Sequence, residues 1–140
     1  MRDLEEGKLA KLLIIEDDPS MLELLRVHLR AVGHAVRTAS DAAEGIRAIL
    51  AEPPDLILSD IAMPYLDGME LLRALRSEPL TRQIPVILLT GRTDDDTLTK
   101  ASELNPDDFL TKPIQVEDLL ASINKVLRRS RPNGALSPLT

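Results

Sequence analysis

Each of four short apolar segments of the sequence ends in a side chain that could take part in metal or phosphate chemistry. These side chains are three carboxylates, a hydroxyl and an ammonium group: Glu16, Asp17, Asp60, Thr90 and Lys112. If the four segments are parallel strands of one open sheet, their carboxyl ends meet at one edge, where ligands bind in such sheets. We therefore expect the five side chains to form a single site.

Three carboxylates at one edge of a sheet repel one another. Two of them about 4 Å apart do so by about 4 kcal/mol at an effective dielectric constant of about 20, so a divalent cation is the natural counter-charge. Oxygen ligands without histidine or cysteine favour Mg²⁺, which keeps several of its waters. A lysine in the same site suits a phosphate oxygen, because its ammonium group is a compact point charge. The residue types predict phosphoryl transfer, which needs mainly positioning and charge compensation from the protein.

Asp60 is the best-placed nucleophile of the set, since it follows the segment that we expect to be the central strand. An aspartate can attack phosphorus itself and give an acyl phosphate. Taken singly, the same residues have plainer explanations. Glu16 and Asp17 could be solvated acids beside a helix cap at Asp18, and Thr90 could cap the helix that follows it. It is their combination that favours a shared site.

The alternation of apolar runs with helical patterns predicts an α/β protein with a parallel sheet. Residues 11–15, 55–59 and 85–89 are nearly continuous apolar runs, which are typical of strands covered on both faces. Residues 108–111 form a fourth run, and the alternating residues 34–38 fit an edge strand. Five strands alternating with five helices imply right-handed crossovers.

Residues of known capping preference mark the helix boundaries. Asp18 and Pro19 are predicted to begin the first helix, and Gly33 to end it. Ser40 is predicted to cap the second helix, and the third is predicted to start near Asp67. The last helix has the clearest apolar stripe: Val116, Leu119, Leu120, Ile123, Val126 and Leu127.

The fourth helix, predicted over residues 93–104, has a thin packing face. Its apolar positions are only Leu98, Ala101 and Leu104. A helix with so little to bury opens at low cost in free energy, so we predict it to be the most mobile one. The helical pattern ends near residue 129, which predicts a domain over residues 8–129 and a C-terminal tail or truncated linker over residues 130–140.

The composition excludes several classes of protein. The chain has 140 residues, with 17 Lys and Arg against 23 Asp and Glu, and a formal net charge of −6. This acidity argues against a nucleic-acid-binding face and a polybasic membrane surface. The absence of cysteine excludes disulfides, zinc–thiolate sites and thiol nucleophiles. Residues 1–8 lack a signal-peptide core and no apolar run could span a membrane, so we expect a cytoplasmic domain.

Four stretches of the sequence resemble the response-regulator receiver domains of two-component signalling. They are residues 13–18, residues 54–64 with the following Asp67 and Gly68, residues 85–91, and residues 108–113. They occur in the family's order and spacing over about residues 8–129. The resemblance implies a flavodoxin-like (βα)5 three-layer sandwich, with a five-stranded parallel sheet in the strand order 2-1-3-4-5.

The resemblance also implies roles for the acidic residues. Asp60 would accept a phosphoryl group from the phosphohistidine of a sensor histidine kinase or phosphotransfer protein. Asp17 would bind Mg²⁺ directly and Glu16 through water. The backbone carbonyl of Ala62 would be a further protein ligand beside Asp60.

The remaining implied roles concern the conformational switch. Thr90 and Lys112 would each contact a phosphoryl oxygen, and Thr90 and Phe109 would move on activation. Output would pass to a partner or output domain through the face of the fourth helix, the fifth strand and the fifth helix. The sequence departs from the common family pattern in two places: Asn105 and Pro106 stand where many members have Gly-Ala, and Phe109 lacks the hydroxyl of the commoner tyrosine.

Other functions fit the sequence less well. No glycine-rich phosphate loop is present for a nucleotide, and the loop after the first strand is acidic, unlike that of a flavodoxin-type binder. An Asp-nucleophile phosphatase would share the chemistry, but it typically carries a second acid where this chain has Ala62. We therefore expect no enzyme beyond one that promotes its own phosphorylation and dephosphorylation. A receiver-like scaffold that signals without phosphorylation is disfavoured, because all five site side chains are present. His28 and His34 are interpreted as ordinary surface or loop residues.

Overall fold

The computed structural model describes residues 9–62, 67–91 and 95–136. The strands are β1 (Lys11–Ile15), β2 (Ala35–Ala39), β3 (Leu56–Asp60), β4 (Val86–Thr90) and β5 (Asp108–Thr111). The helices are α1 (Pro19–Ala31), α2 (Ala42–Ala51), α3 (Gly68–Ser77), α4 (Asp95–Glu103) and α5 (Val116–Leu136). Every strand pair is parallel and the sheet order is β2-β1-β3-β4-β5. The predicted fold class and strand order are confirmed.

Two apolar layers lie on opposite faces of the sheet. Buried side chains of α2, α3 and α4 pack on one face, together with Leu13, Ile57 and Leu88 of the strands. Those of α1 and α5 pack on the other face, together with Leu12 and Leu58. Because helices cover both faces, β3 and β4 are buried along their whole length, whereas the edge strands β2 and β5 are partly exposed. The result is the predicted three-layer sandwich.

The predicted helix caps are observed with one correction. Asp18 caps α1 through its carboxylate, and Gly33 lies just beyond the end of α1 with a φ of 103°. α2 is capped by Asp41 and not by Ser40, since the Asp41 carboxylate accepts a hydrogen bond from the Glu44 N–H at 2.8 Å. Ser40 lies one residue earlier, where its own N–H donates to the Glu44 carboxylate at 2.7 Å.

α4 has the thin packing face that the sequence predicts. Ala101 is its one fully buried side chain among those that the structure describes, and Leu98 is half-buried. Asn105, just after the helix, adopts a left-handed φ of 58°, a conformation that glycine takes most readily. Asparagine enters this region more readily than most other residues, so the backbone can turn here without a glycine. The mobility of α4 stays a prediction.

α5 extends further than its apolar stripe. Leu119 and Ile123 are buried against the sheet, but the helix continues to Leu136. Residues 130–136 of the predicted tail are therefore helical, because the end of the stripe marks where packing stops and not where the backbone leaves the helix. The 8–129 boundary stays a prediction. Within the described ranges, no helix is both long and apolar enough to cross a membrane.

Candidate functional site

Three of the predicted site residues, Glu16, Asp17 and Asp60, come together at the carboxyl edge of the sheet. β1 and β3 are neighbours, and Ile15 pairs with Ser59, so the residues that follow this pair lie side by side. One carboxylate oxygen from each of the three acids lies within 4.8 Å of one from each of the others. The parallel topology thus brings Asp60 next to two acids that lie more than forty positions earlier in the sequence.

The three carboxylates differ in their exposure. Glu16 is fully buried and Asp60 is 4% exposed, whereas Asp17 is exposed. Glu16 Oε2 accepts a hydrogen bond from the backbone N–H of Asp18 at 3.1 Å. The site therefore has two acids inside the fold and one that faces solvent.

Lys112 supplies positive charge to this site. Its Nζ lies 3.0 Å from Glu16 Oε1 and 3.2 Å from Asp60 Oδ1. The backbone N–H of Lys112 donates to the Thr90 carbonyl at 2.7 Å, which continues the pairing of β4 and β5 past the end of β5. The Lys112–Pro113 peptide bond is cis. The ammonium group thus lies between Glu16, which follows β1, and Asp60, which ends β3.

Burial is the largest influence on the pKa values of the two inner acids. It raises the pKa of Glu16, while the Asp18 N–H and the Lys112 ammonium act in the opposite direction. Burial also raises the pKa of Asp60 against the effect of Lys112. Burial alone would lower the pKa of Lys112, but its bonds to Glu16 and Asp60 outweigh burial and raise it. The protein therefore holds ionised acids here at a cost in free energy, which a further cation would reduce.

The donor set fits a magnesium ion. Three carboxylates and one ammonium group leave two uncompensated negative charges when all four are ionised. All three side-chain donors are hard oxygen ligands, which suit Mg²⁺ together with water. Ala62 is exposed two residues after Asp60, and residues 63–66 beyond it lie outside the described residues. The role of the Ala62 carbonyl as a ligand stays a prediction.

The two predicted switch residues lie on neighbouring strands. Thr90 is buried at the end of β4, between the strands that carry Asp60 and lead to Lys112. Phe109 pairs with Leu88 and is half-buried against the apolar layer beneath α2, α3 and α4. Thr90 therefore lies at the same edge as Asp60, and Phe109 lies two positions before the end of β5.

Gly68 also shapes the site, although its sequence signal pointed only to the start of a helix. A Cβ at Gly68 would lie 2.2 Å from the backbone oxygen of Asp60 and 2.9 Å from the Cα of Ile61. The Gly68 N–H donates to the Ile61 carbonyl at 2.9 Å. Only glycine lets α3 approach the backbone of Asp60 this closely. The available clue was a glycine in the first turn of a helix, where intrinsic propensity disfavours it.

The two histidines lie outside the site. His34 is 7% exposed, and its Nδ1 accepts a hydrogen bond from the Ala10 N–H at 3.1 Å. Burial lowers the pKa of His34, which favours the neutral imidazole that this bond requires. His28 is half-buried on α1. His34 thus fastens the start of β1 to the segment before β2, at the end of the sheet opposite Asp60.

Comparison with known proteins identifies the class to which this fold and site belong. Residues 12–124 match the family described as the response regulator receiver domain. The chain belongs to this family, and the resemblance seen in the sequence is confirmed. It is a receiver domain of two-component signal transduction.

Individual relatives support the same assignment. The transcriptional regulatory protein AfsQ1 of Streptomyces coelicolor is 41% identical over 118 residues, which are 84% of this chain and 51% of AfsQ1. The signal receiver domain of a histidine kinase from Syntrophus aciditrophicus is 33% identical with a TM-score of 0.84, over 94% of this chain and 99% of that one. Chemotaxis protein CheY4 of Vibrio cholerae is 28% identical with a TM-score of 0.79, over 84% and 98%. The chain spans about half the length of the curated relatives that it matches.

Proposed function

We propose that the chain is a phosphorylation switch in which Asp60 takes a phosphoryl group from the phosphohistidine of a sensor histidine kinase or phosphotransfer protein. The observation that carries this proposal is the position of the Asp60 carboxylate. It lies 3.2 Å from the Lys112 ammonium group and within 4.8 Å of donor oxygens of Glu16 and Asp17. A nucleophile, a cation for the phosphoryl group and a set of metal ligands therefore meet at one point.

In the proposed transfer, a carboxylate oxygen of Asp60 attacks phosphorus. A P–O bond forms as the P–N bond to histidine breaks, and the imidazole nitrogen keeps the electron pair of that bond. Lys112 holds a phosphoryl oxygen, since its ammonium group already lies beside Asp60. Thr90, at the end of the neighbouring strand, donates a hydrogen bond from its hydroxyl group to a second phosphoryl oxygen. The chain thus supplies the nucleophile and two of the groups that orient the phosphoryl oxygens.

The metal ligands proposed for this reaction are the carboxylates of Asp17 and Asp60, Glu16 through water, and the carbonyl of Ala62. Mg²⁺ bound there supplies charge compensation for the phosphoryl oxygens. The uncompensated negative charge of the cluster favours this ion. Asp17 is the exposed member of the set, so it is accessible from solvent.

The proposed switch runs through Thr90, Phe109 and α4. Phosphorylation shifts the equilibrium of this region, and the face of α4, β5 and α5 passes the change to a partner or output domain. The thin packing of α4 keeps the free-energy cost of such a shift low. AfsQ1 is a transcriptional regulatory protein and RpaA of Synechocystis is a DNA-binding regulator. We infer that this domain serves transcriptional control, with no nucleic-acid contact of its own; its cytoplasmic location stays a prediction.

An Asp-nucleophile phosphatase would use similar groups. Such an enzyme needs a general acid near the nucleophile to release its product alcohol. The position two residues after Asp60 is Ala62, which has no proton to give. We therefore propose that the protein is not an enzyme towards external substrates and that its chemistry is limited to its own acyl phosphate.

The proposal is tested with phosphoramidate, Mg²⁺ and intact-mass spectrometry. The wild-type chain should gain one phosphoryl group, hydroxylamine should remove it as expected for an acyl phosphate, and Asp60→Asn should gain none. Asp55→Asn is the matched control, because Asp55 is an exposed acid beside the opposite end of β3. It should be phosphorylated like the wild type.

Two outcomes would contradict the proposal. If the wild-type chain binds Mg²⁺ but gains no phosphoryl group, Asp60 is not a phosphoacceptor. Repeated turnover of p-nitrophenyl phosphate that is abolished by Asp60→Asn would favour the phosphatase instead.

A further inference from the structure

A cleft of about 560 Å³ lies at the end of the sheet opposite Asp60. Its walls are the C-terminal half of α3, the segment that leads into β4, and the segment between α4 and β5. Both segments enter strands at their amino ends, whereas the candidate phosphoryl site lies at the carboxyl ends. The cleft is therefore separate from the chemistry described above, and its volume is of the size that small ligands occupy.

Arg76 and Asp107 line the cleft as an ion pair, which has no net charge. Arg76 Nη1 donates to the carbonyls of Ile84 at 2.8 Å and Arg82 at 3.1 Å, and Nη2 donates to Asp107 Oδ2 at 2.9 Å. The same Asp107 oxygen accepts the N–H of Val86 at 2.8 Å. These bonds hold α3 to the segment before β4 and to the segment before β5, and Asp107 joins the latter to the first residue of β4. Arg76 and Asp107 satisfy each other, so neither is left to attract a ligand.

Two further arginines of the cleft, Arg73 and Arg82, are not engaged in this way. Both are exposed, and in the described ranges no carboxylate lies within ion-pair distance of either guanidinium group. Arg73 comes from α3 and Arg82 from the segment before β4. Two arginines from different elements therefore line one cavity, in a chain whose net charge is −6, and neither guanidinium group has an ion-pair partner among the described residues.

The opposite wall is rigid and polar. Asn105 is held in its left-handed conformation, its N–H donates to the Ser102 carbonyl at 3.1 Å, and Pro106 restricts the backbone next to it. Asn105 and Gln83 both line the cleft, and both carry a side-chain amide, which is a neutral donor. Glu103 is an exposed acid at the same wall. A wall that is ordered before binding reduces the entropy that a ligand must overcome.

We propose that this cleft binds a small phosphate monoester, with the phosphate between Arg73 and Arg82. Two guanidinium groups match the two negative charges of a phosphate monoester, and each can bond it through two N–H groups. Glu103 accepts a hydroxyl of the organic part and repels larger polyanions. This binding site goes beyond the phosphoacceptor function and uses none of its residues.

The test is a titration of the metal-free chain with glycerol 3-phosphate or with inorganic phosphate at constant ionic strength. Binding is followed by the NMR signals of the arginine Nε–Hε groups and by isothermal titration calorimetry, which also measures the affinity of variants that lack these arginines. The signals of Arg73 and Arg82 should shift and saturate, with glycerol 3-phosphate binding more tightly than inorganic phosphate. The double substitution Arg73→Gln/Arg82→Gln should weaken binding by about tenfold or more.

Arg47→Gln is the matched control, since Arg47 is an exposed arginine of α2 outside the cleft. It should leave the affinity unchanged. Because Arg73 and Arg82 are exposed, the urea midpoint of the double variant should equal that of the wild type. Shifts that do not saturate, Arg73 and Arg82 signals that stay unmoved, or an affinity that is unchanged in the double variant would overturn the proposal. Those results would leave the phosphorylation of Asp60 unaffected.

Discussion

Lys112→Met removes the ammonium group that lies between two buried carboxylates and leaves the packing volume of the side chain nearly unchanged. The Lys112 side chain is only 22% exposed, Glu16 is fully buried, and the Asp60 side chain is 6% exposed. After the substitution, Glu16 and Asp60 face each other and the exposed Asp17 without a neighbouring cation. We expect a large loss of stability in the absence of Mg²⁺.

The size of this loss follows from the two distances. Unit charges at 3.0 Å and 3.2 Å attract by about 5 kcal/mol each at an effective dielectric constant of about 20. The cost of removing the charges from water cancels much of that attraction, and breaking a buried ion pair from one side costs about 3–5 kcal/mol. Lys112 is partly exposed, so we expect about 3 kcal/mol. A domain of ordinary stability, about 5–15 kcal/mol, still folds after this loss.

Urea unfolding at neutral pH, followed by circular dichroism, measures the effect. Lys125→Met is the control, because Lys125 bonds Asp108 at 3.1 Å but is 50% exposed, and such a pair contributes about 0–1 kcal/mol. Adding Asp60→Asn to Lys112→Met should restore at least about 1 kcal/mol, since it removes one of the unpaired carboxylates. A cost of Lys112→Met no greater than that of Lys125→Met, or no gain in stability on adding Asp60→Asn, would show that the ammonium group does not stabilise the two carboxylates.

Three further predictions concern positions around the fold. Gly68→Ala should lower the free energy of unfolding by about 1–3 kcal/mol and slow phosphorylation by phosphoramidate, because the new methyl group collides with the backbone of Asp60. Wild-type stability should fall as the pH drops below about 6.5, since burial lowers the pKa of His34 and the unfolded chain takes up the proton first. His34→Gln should reduce this loss of stability in denaturation series between about pH 5 and pH 8. Arg76→Met should cost about 2 kcal/mol in urea unfolding, because it removes the side-chain donor of two carbonyls and leaves Asp107 with only the Val86 N–H.

Each of these changes has a matched control. Among the described residues, a methyl group at Gly91 meets no atom within 4 Å beyond its chain neighbours, so a loss for Gly91→Ala equal to that of Gly68→Ala would contradict the steric argument. His28→Gln should leave the pH dependence of stability in place, and its disappearance there would exclude His34 as the cause. Arg73→Met removes an exposed arginine of the same helix as Arg76 and should be nearly neutral. An equal effect of the two arginine changes would show that the bonds of Arg76 contribute little.

Much of the fold could be predicted because its signals are local. Apolar runs without alternation indicate strands covered on both faces, and the caps at Asp18 and Asp67 lie next to the helices that they begin. The prediction was wrong at Ser40, since Asp41 beside it caps equally well. The choice depends on which of the two accepts the Glu44 N–H, and in the structure that residue is Asp41. The end of α5 was also placed too early, because burial and helical backbone end at different residues.

The sequence by itself determined which chemical groups follow the strands, and the parallel order then brought Glu16, Asp17 and Asp60 to one edge. The tertiary structure decided how those groups meet. Only packing makes Glu16 a fully buried acid, joins it to Lys112 at 3.0 Å, and brings Gly68 against the backbone of Asp60. The physical reason is that residue type and strand direction are properties of short segments. Burial, charge compensation and close approach depend on atoms that the chain supplies from distant positions.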